Sequence, residues 1–284
     1  MWAKRRRSGK GIAPRLDFAY SARTMTQYKI ATRLFVEEDL SEGRALGLDH
    51  ARAHFLRSVL RLQPGAFVAL FNGRDGEWLA ELEGLGKGWA SLELRERLRA
   101  QIAEPDLWLV FAPIKRARID FLAEKATELG VSRLLPAMTR RTNVERVKID
   151  RLAANAREAA EQTERLSVPE VEEPRSLEAI LGAWPEDRPI IAGAEAGQAV
   201  PLADHLETWG RDARRPAAVL TGPEGGFAPE EFELLRRHPQ ATLVSLGPRI
   251  LRADTAALAA LACWQAWAGD WTRDGGARPA FRSG

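Results

Sequence analysis

The pattern of apolar and polar residues changes once along the chain, near residue 100. From Ile30 to about Arg99, short runs of alternating apolar and polar residues are broken by glycines, which is typical of β-strands. Beyond a linker around Pro105, apolar runs alternate with stretches of helical period, which predicts a parallel sheet covered by helices on both faces. The predicted division is a basic leader at 1–24, a first domain at 25–100, a second domain at 101–270 and a flexible tail at 271–284.

The first domain is predicted to be a small β-barrel. Phe67–Phe71 and Trp78–Leu82 flank Asn72–Gly76, whose Asn-Gly and Asp-Gly pairs predict a hairpin turn. Gly84–Gly88 predicts a second turn, and one helix is expected at about Leu48–Leu60. Together these elements indicate a compact barrel-like domain of roughly seventy residues.

The second domain is predicted to alternate buried strands with helices. Leu107–Phe111 is apolar at every position, as a strand buried on both faces requires. Further strands are expected at 131–138, 189–194, 217–221 and 241–246. Helices are expected from Ile119 to Leu129 with Gly130 at the C-terminal end, at 148–165, from Pro229 onward, and at 254–267.

Composition is that of an ordinary globular protein. Of 284 residues, 45% are hydrophobic and 29% are charged, and no apolar run approaches the roughly 20 residues that span a bilayer. The one cysteine, Cys263, excludes an internal disulfide framework and suits a reducing compartment, so we expect a cytoplasmic protein. Its place beside Trp264 on an apolar helical face predicts a buried structural thiol rather than a nucleophile.

The net charge of +3 is unevenly distributed. Residues 1–24 carry seven bases and one acid, so the rest of the chain has a net charge of −3. The leader lacks the apolar core of a secretory signal. Its arginines suit an organellar transit peptide or a basic nucleic-acid arm, but we favour a flexible extension, or a start codon placed too early, with Met25 as the natural first residue.

Several common catalytic sites have little support in the sequence. Gly84–Gly88 lacks both the spacing of a dinucleotide loop and the ending of a phosphate loop, and it lies between strands. The four histidines have no metal-ligand spacing, and no Gly-x-Ser-x-Gly elbow is present. Metalloenzymes and hydrolases are therefore disfavoured.

Two glycine-rich loops near the C-terminus carry the strongest functional signal. Leu220–Phe227 and Leu246–Ala256 each follow an apolar run and precede a helical pattern. Loops at the carboxyl ends of neighbouring strands form the ligand sites of open α/β sheets. The plainer interpretation is that their glycines only permit tight turns.

The residues of these loops disfavour a diphosphate ligand. Pro223 removes a backbone donor and Glu224 adds a carboxylate, whereas a diphosphate needs bases or free N–H groups. The second loop places aliphatic Ile250 and Leu251 beside Arg252. Aliphatic side chains, main-chain amides and an acid together suit an adenosine that carries a positively charged sulfonium.

The two loops also share their motifs with one family. Thr-Gly-Pro-Glu-Gly-Gly-Phe at 221–227, paired with Leu-Gly-x-Arg-Ile-Leu-Arg-x-x-Thr-Ala at 246–256, resembles the cofactor site of the 16S ribosomal RNA uridine-N3 methyltransferases of the SPOUT class. The chain departs from this family in its leader, in Asp254 where Glu is usual, and in Arg140–Thr142 where Glu-Arg-Ser is usual. The resemblance covers nearly all of residues 30–268 and extends upstream through Arg33–Val36, Val59–Arg61, Lys115, Lys125–Val131, Glu158–Arg165 and Val168–Pro169.

The resemblance implies a fold and a reaction. The expected fold is an α/β protein with a PUA-like N-terminal β-barrel and a SPOUT α/β domain that contains a C-terminal trefoil knot. The methyl donor is expected to be S-adenosylmethionine and the acceptor the N3 of a uridine in 16S ribosomal RNA of the small subunit, in a homodimer without membrane or metal. The expected cofactor-binding residues are Leu220, Thr221, Gly222, Pro223, Glu224, Gly225, Gly226, Leu246, Gly247, Ile250, Leu251, Arg252, Thr255 and Ala256.

Two residues are expected to be catalytic. Arg252 would stabilise the charge that develops on the uracil oxygens, and Glu224 would orient cofactor or substrate. A salt bridge from Arg252 to Asp254 or Glu224 is the alternative. The last helix, with Leu258, Leu261 and Trp264, would serve packing or dimerisation. The expected RNA-binding residues are Arg33, Arg57, Arg61, Lys115, Lys125, Arg140, Arg141 and Arg165.

Two other functions stay open at this point. The same fold methylates other positions, such as a ribose 2′-hydroxyl or a tRNA base, although the Asn-x-Gly run of the ribose-modifying branch is absent from the sequence. A non-catalytic RNA-binding assembly factor is the second alternative, and it would not bind S-adenosylmethionine.

Overall fold

The computed structural model describes residues 28–144, 146–194, 199–211 and 215–271. The predicted leader and nearly all of the predicted tail lie outside these residues. The described residues form two β-sheets: the N-terminal sheet packs on one apolar core, and the C-terminal sheet has an apolar core on each face. Among the described helices, none combines the length and the apolar character that a membrane crossing requires.

The N-terminal sheet has five strands in the order β1-β3-β4-β5-β2. All neighbours are antiparallel except β1 and β3, which are parallel. Alternate residues such as Leu92 and Leu94 point into one core, as the period-two pattern predicts. The strands are β1 (Ile30–Phe35), β2 (Ala45–Leu48), β3 (Phe67–Phe71), β4 (Glu77–Leu85) and β5 (Ala90–Arg99).

The single helix predicted at 48–60 is divided in two. Helix α1 (His50–His54) begins where Asp49 Oδ1 accepts a hydrogen bond from the backbone N–H of Arg52, at 2.9 Å. A π-helical turn, Phe55–Val59, continues it. The predicted hairpin between β3 and β4 is confirmed.

The C-terminal sheet is parallel throughout, in the order β11-β13-β10-β12-β6-β7-β8, with β9 paired to β7. Its strands are β6 (Leu107–Phe111), β7 (Arg133–Met138), β8 (Glu170–Val171), β9 (Arg175–Ser176), β10 (Ile190–Gly193), β11 (Val200–Pro201), β12 (Ala217–Thr221) and β13 (Ala241–Ser245). The helices are α2 (Arg116–Glu128), α3 (Ile149–Gln162), α4 (Leu177–Gly182), α5 (Leu202–Trp209), α6 (Pro229–Arg237) and α7 (Ala253–Trp267).

Helices cover both faces of this sheet, as predicted. Residues of α2, α3, α5 and α7 form one core, in which Trp264 is fully buried. Residues of α4 and α6, including Leu181 and Leu235, form the other. Helix α7 starts beyond β13 and returns to pack on β12 and α2. The trefoil knot stays a prediction.

A buried arginine joins the N-terminal sheet to the end of α3 in the second domain, which corrects one expected RNA contact. Arg33 of β1 is 5% exposed, and its Nε donates to Glu77 Oε1 at 2.5 Å. Its Nη atoms donate to the backbone oxygens of Ala160, Glu161 and Arg165, at 2.8 to 3.0 Å. The guanidinium therefore binds the carbonyls at the end of α3 and does not reach RNA.

Arg165 is the second correction, because it is 9% exposed. Its Nη1 donates to the backbone oxygens of Thr127 and Val131, and its Nη2 pairs with Glu104. Arg165 thus ties the segment after α3 to the end of α2 and to the linker. The helix predicted at 148–165 ends at Gln162, before this arginine.

Cys263 is the third correction, since its side chain is exposed on α7 and not buried. The exposed positions of this helix, Thr255, Cys263 and Ala266, are small. Leu261 and Trp264 point into the core. Cys263 directly precedes the buried Trp264, but successive residues of a helix point in different directions, and only one side of α7 packs on the sheet.

Candidate active site

Two cavities lie side by side at the carboxyl ends of β10, β12 and β13. Both are lined by Gly193 and by Gly222, so backbone without side chains separates them. The first has a volume of about 120 Å³ and the second about 180 Å³. This is the edge at which parallel α/β sheets bind ligands.

The loop after β12 is shaped by glycines. Gly226 has a φ of +67° and donates its N–H to the backbone oxygen of Pro223 at 2.9 Å, which closes a tight turn. A Cβ on Gly222 would lie 2.9 Å from the ring of Phe227, so this ring packs directly on the glycine backbone. The glycines therefore do more than permit a turn, because Gly222 lines both cavities and Gly225 and Gly226 line the second.

The loop after β13 closes the first cavity. Gly247 has a φ of +103°, a conformation that favours glycine. Ile250 is 84% exposed, which leaves a large aliphatic side chain at the rim. The first cavity is lined by Gly193, Ala194, Thr221, Gly222, Ser245, Leu246, Gly247, Pro248, Arg249, Ile250, Leu251, Ala253 and Ala256.

The second cavity adds an arginine and aromatic side chains. Arg141 Nη1 donates to the backbone oxygen of Gly225 at 2.9 Å, which joins the loop after β7 to the loop after β12. Phe227 and Phe232 also line this cavity. The cavity thus presents a cation and aromatic surface next to the first cavity.

A buried carboxylate holds this arrangement in place. Glu231 is 1% exposed and accepts the backbone N–H of Ala228 and that of Arg140, both at 2.8 Å. One oxygen caps the start of α6, and the other fixes the turn after β7. The predicted start of this helix at Pro229, with acids in its first turn, is confirmed.

Arg252 and Glu224 are both exposed and have free side-chain polar atoms. Neither makes a side-chain hydrogen bond or ion pair with another described residue. Asp254 pairs with Arg118 instead, at 3.2 Å. The alternative interpretation, a salt bridge from Arg252 to Asp254 or Glu224, is therefore not found in the structure.

The structure divides the predicted cofactor residues into three groups. Seven line the first cavity: Thr221, Gly222, Leu246, Gly247, Ile250, Leu251 and Ala256. Gly225 and Gly226 line the second. Five line neither cavity: Leu220, which is buried in the core, and Pro223, Glu224, Arg252 and Thr255.

Sequence reasoning missed the contribution of β10. Gly193 and Ala194 line the first cavity because β10 lies between β12 and β13 in the sheet. A strand was predicted at 189–194, but its place in the sheet order had no signal in the sequence. The sequence also does not single out Phe232, since a phenylalanine inside a helix is expected to pack in the hydrophobic core.

The remaining predicted RNA-binding residues are on the surface. Arg57 and Arg61 are exposed on the first domain, and Arg140 and Arg141 follow the carboxyl end of β7. Lys115 is exposed at the start of α2. Lys125 pairs with Glu128 at 2.5 Å. Within the described ranges no cluster of three metal-ligating side chains occurs.

Both parts of the chain match models of known protein families. Residues 103–265 match an RNA methyltransferase domain, and residues 48–94 match an RNA methyltransferase PUA domain. These two matches cover the sheet that carries the cavities and most of the N-terminal sheet.

Whole-chain relatives agree with this match. Ribosomal RNA small subunit methyltransferase E of Rickettsia conorii is 32% identical over 81% of this chain and 93% of its own length. The protein of the same name from Synechocystis is 31% identical over 87% of this chain and 81% of its own.

A solved structure has a fold similar to that of this chain. The crystal structure of a ribosomal RNA small subunit methyltransferase E from Neisseria gonorrhoeae, bound to S-adenosyl methionine, has a TM-score of 0.75 and 29% identity. It covers 85% of this chain and 99% of that one. The chain therefore belongs to the ribosomal RNA small subunit methyltransferase E family, with a PUA domain before an RNA methyltransferase domain.

Proposed function

We propose that this protein transfers a methyl group from S-adenosylmethionine to the N3 of a uridine in 16S ribosomal RNA. The observation that carries the proposal is the pair of adjoining cavities that share Gly222 at the carboxyl ends of β10, β12 and β13. One cavity suits the donor and the other lies beside it for the acceptor. The relatives' names and the S-adenosyl methionine bound to one of them support the choice.

The lining of the first cavity fits an adenosine. Leu246, Ile250 and Leu251 offer aliphatic surface to a flat base, and the backbone of Gly222 and Gly247 offers amides at close approach. We assign these residues to cofactor binding. When bound, S-adenosylmethionine supplies an electrophilic methyl group on a positively charged sulfur.

The acceptor nitrogen must lose its proton, because uracil N3 is protonated at neutral pH. Negative charge then develops on the uracil oxygens, and a nearby cation lowers the free energy of that state. We assign this role to Arg252, whose guanidinium is exposed at the start of α7 without a partner among the described residues. Glu224, exposed at the tip of the first loop, orients the cofactor or the substrate.

The RNA would approach across the carboxyl edge of the second domain. Lys115, Arg140 and Arg141 all follow strands that end at this edge. Arg57 and Arg61 would add contacts from the first domain. Because the chain beyond residue 24 has a net charge of −3, these bases must act locally, on a few phosphates.

We further infer that the protein is a homodimer in the cytoplasm. The exposed side of α7 is small and uncharged at Thr255, Cys263 and Ala266, and Ile250 is 84% exposed beside it in sequence. A second copy would cover these residues. Analytical ultracentrifugation at two protein concentrations tests this, with twice the mass of one chain expected and a stable single-chain mass contradicting it.

The proposed reaction is tested by mass spectrometry of ribosomal RNA nucleosides from a deletion strain. We expect one 3-methyluridine to disappear from 16S RNA and to return when the gene is restored. Loss of a 2′-O-methyl nucleoside or of a tRNA modification would support the alternative acceptors. Unchanged nucleosides, together with no heat on titration with S-adenosylmethionine, would support a non-catalytic assembly factor.

A further inference from the structure

The turn between β4 and β5 holds a tryptophan that the proposed reaction does not use. Trp89 folds back across the turn so that a Cβ on Gly86 would overlap the indole Nε1, and a Cβ on Gly84 would lie 2.8 Å from Cζ3. Gly84 and Gly86 are therefore needed because an indole lies on their backbone. The glycine-rich segment Gly84–Gly88 is therefore not a phosphate loop but a turn on which an aromatic ring packs.

One side of the indole packs on the backbone of the glycines, and the other side is open to solvent. Trp89 is 54% exposed, although tryptophan is a residue that folding normally buries. Trp78 of the same hairpin is partly buried against the core of the domain, whereas more than half of the surface of Trp89 is exposed. No hydrogen bond from its indole N–H to another described residue is present. Packing of the domain therefore does not explain why this ring lies where it does.

The surroundings of the ring include one lysine and one histidine. Lys87 is exposed at the tip of the turn. His50, which begins α1, is exposed, and its Cδ2 would lie 2.8 Å from a Cβ on Gly88. The ring, Lys87 and His50 all lie within residues 48–94, which match the RNA methyltransferase PUA domain.

We propose that Trp89 is a stacking platform for an unpaired base of the RNA substrate, with Lys87 and His50 beside the adjoining phosphates. A flat indole backed by peptide groups offers its π-face to a base, and unpaired bases are what aromatic side chains of RNA-binding domains stack on. In a duplex each base is already stacked on its neighbours. The inference rests on the proposed function only for the identity of the RNA.

The test compares two forms of one RNA. Fluorescence anisotropy with a short labelled single-stranded RNA of mixed sequence, and with the same RNA annealed to its complement, gives the dissociation constants. We expect Trp89→Ala to raise the Kd for the single strand about tenfold, while Trp89→Phe keeps most of the affinity because the smaller ring still stacks. The duplex should bind equally to all three proteins.

Trp271→Ala is the matched control, since Trp271 is 55% exposed and lies beyond α7, outside the residues that match the PUA domain. It should leave the Kd unchanged. Thermal unfolding of each variant checks the fold, and the change caused by Trp89→Ala should be the same at low and moderate salt because stacking releases no counterions. Lys87→Ala should instead reduce the salt dependence.

Three results would overturn the proposal: an unchanged Kd for Trp89→Ala, an equal loss on the duplex, or weaker binding to small ribosomal subunits with unchanged binding to free RNA. The last result would mean that the Trp89 ring contacts a ribosomal protein and not the RNA. Failure of the proposed reaction is recognised separately, because the wild-type protein would then lack methyl transfer while the binding assay still responds to Trp89.

Discussion

Arg118 lies 3.2 Å from the carboxylate of Asp254, and this ion pair joins the first turn of α2 to the first turn of α7. Asp254 is thereby occupied, and the guanidinium of Arg252 keeps no partner among the described residues. The position of Arg252 is fixed by its place at the start of α7, not by a salt bridge. Its charge is free to act on a substrate.

Replacing Arg252 by Ala should abolish methyl transfer without loss of the cofactor. Removing one group that stabilises developing negative charge typically lowers kcat about 100- to 1000-fold. Because Arg252 lines neither cavity, the Kd for S-adenosylmethionine should change by less than about threefold. Single-turnover transfer of labelled methyl and titration calorimetry measure the two quantities.

Arg237→Ala serves as the control for Arg252, because Arg237 is an exposed arginine that pairs with Glu233 on α6. It should leave both quantities unchanged. Near-normal transfer by the Arg252 variant would remove this residue from the mechanism.

Asp254→Asn should have a small effect, because it breaks a partly exposed ion pair. Such pairs contribute about 0–1 kcal/mol, so the free energy of unfolding should change little. We expect kcat to stay within a few-fold of wild type. If Asp254→Asn lost transfer as completely as Arg252→Ala, the carboxylate would have to pair with Arg252 during the reaction.

Gly222→Ala should weaken binding of the cofactor. The added Cβ would lie 2.9 Å from the ring of Phe227, so either the ring or the loop must move, and the wall between the cavities moves with it. We expect the Kd for S-adenosylmethionine to rise at least about tenfold, or 1.4 kcal/mol, by calorimetry. Gly182→Ala, where a Cβ meets nothing within 4 Å, is the control and should bind normally.

Arg33→Met should destabilise the protein strongly. Glu77 is fully buried, and Arg33 and Arg99 are its ionic partners, at 2.5 and 2.7 Å. Breaking a buried ion pair from one side costs about 3–5 kcal/mol, because the remaining charge stays buried. The shift of the urea unfolding curve measures the loss.

The comparison for Arg33 is Arg74→Ala, which breaks an exposed pair with Asp39. That change should cost about 0–1 kcal/mol. Equal stabilities of the two variants would show that Arg33 does not hold the N-terminal sheet to the end of α3.

The same pair makes stability depend on pH. Burial by itself would raise the pKa of Glu77, but the attraction of Arg33 and Arg99 outweighs it and holds the pKa below its usual value. The ionised form therefore stabilises the fold above the unfolded pKa of about 4.3, and this stabilisation is lost as the pH falls through the lower folded pKa. We expect the urea midpoint to decline below about pH 5.

Glu77→Gln should be less stable at neutral pH and should show a shallower decline in acid. Glu230→Gln, at an exposed carboxyl, should keep the wild-type slope. Parallel curves for wild type and Glu77→Gln would rule out this group as a source of the acid sensitivity.

Several features of the fold could be predicted because each depends on near neighbours in sequence. The apolar run Leu107–Phe111 and the run Ala217–Thr221 are strands with the predicted bounds. Pro229 begins α6, and Gly130 takes the positive φ that ends α2. The short helix α4 was missed because six residues hold too little of a helical period to recognise.

The candidate site was only partly predictable for the same reason. The two loops were identified from their glycines and aliphatic residues, which lie close together in sequence. The contribution of β10 depends on the sheet order, which brings Gly193 between strands that follow it in the chain. A sequence pattern contains no information on that order.

Arg33 and Arg165 show where residue type misleads. An arginine in a sequence predicts an exposed position, and its long side chain and five N–H donors suit phosphates. The same donors also suit backbone carbonyls, and at these two positions the end of α3 and the end of α2 supply carbonyls within reach. Whether an arginine is buried therefore depends on the groups that pack around it and not on the residue type.

The sequence by itself determined the two-part architecture, most strand positions and the two loops of the site, since local pattern controls each of them. Only the tertiary structure decided which loops share a cavity, that Asp254 is paired with Arg118, that Arg33 joins the N-terminal sheet to the end of α3, and that the exposed Trp89 packs on glycine backbone. These relationships join residues far apart in the chain, and they exist because packing two sheets and their helices brings those residues within contact distance.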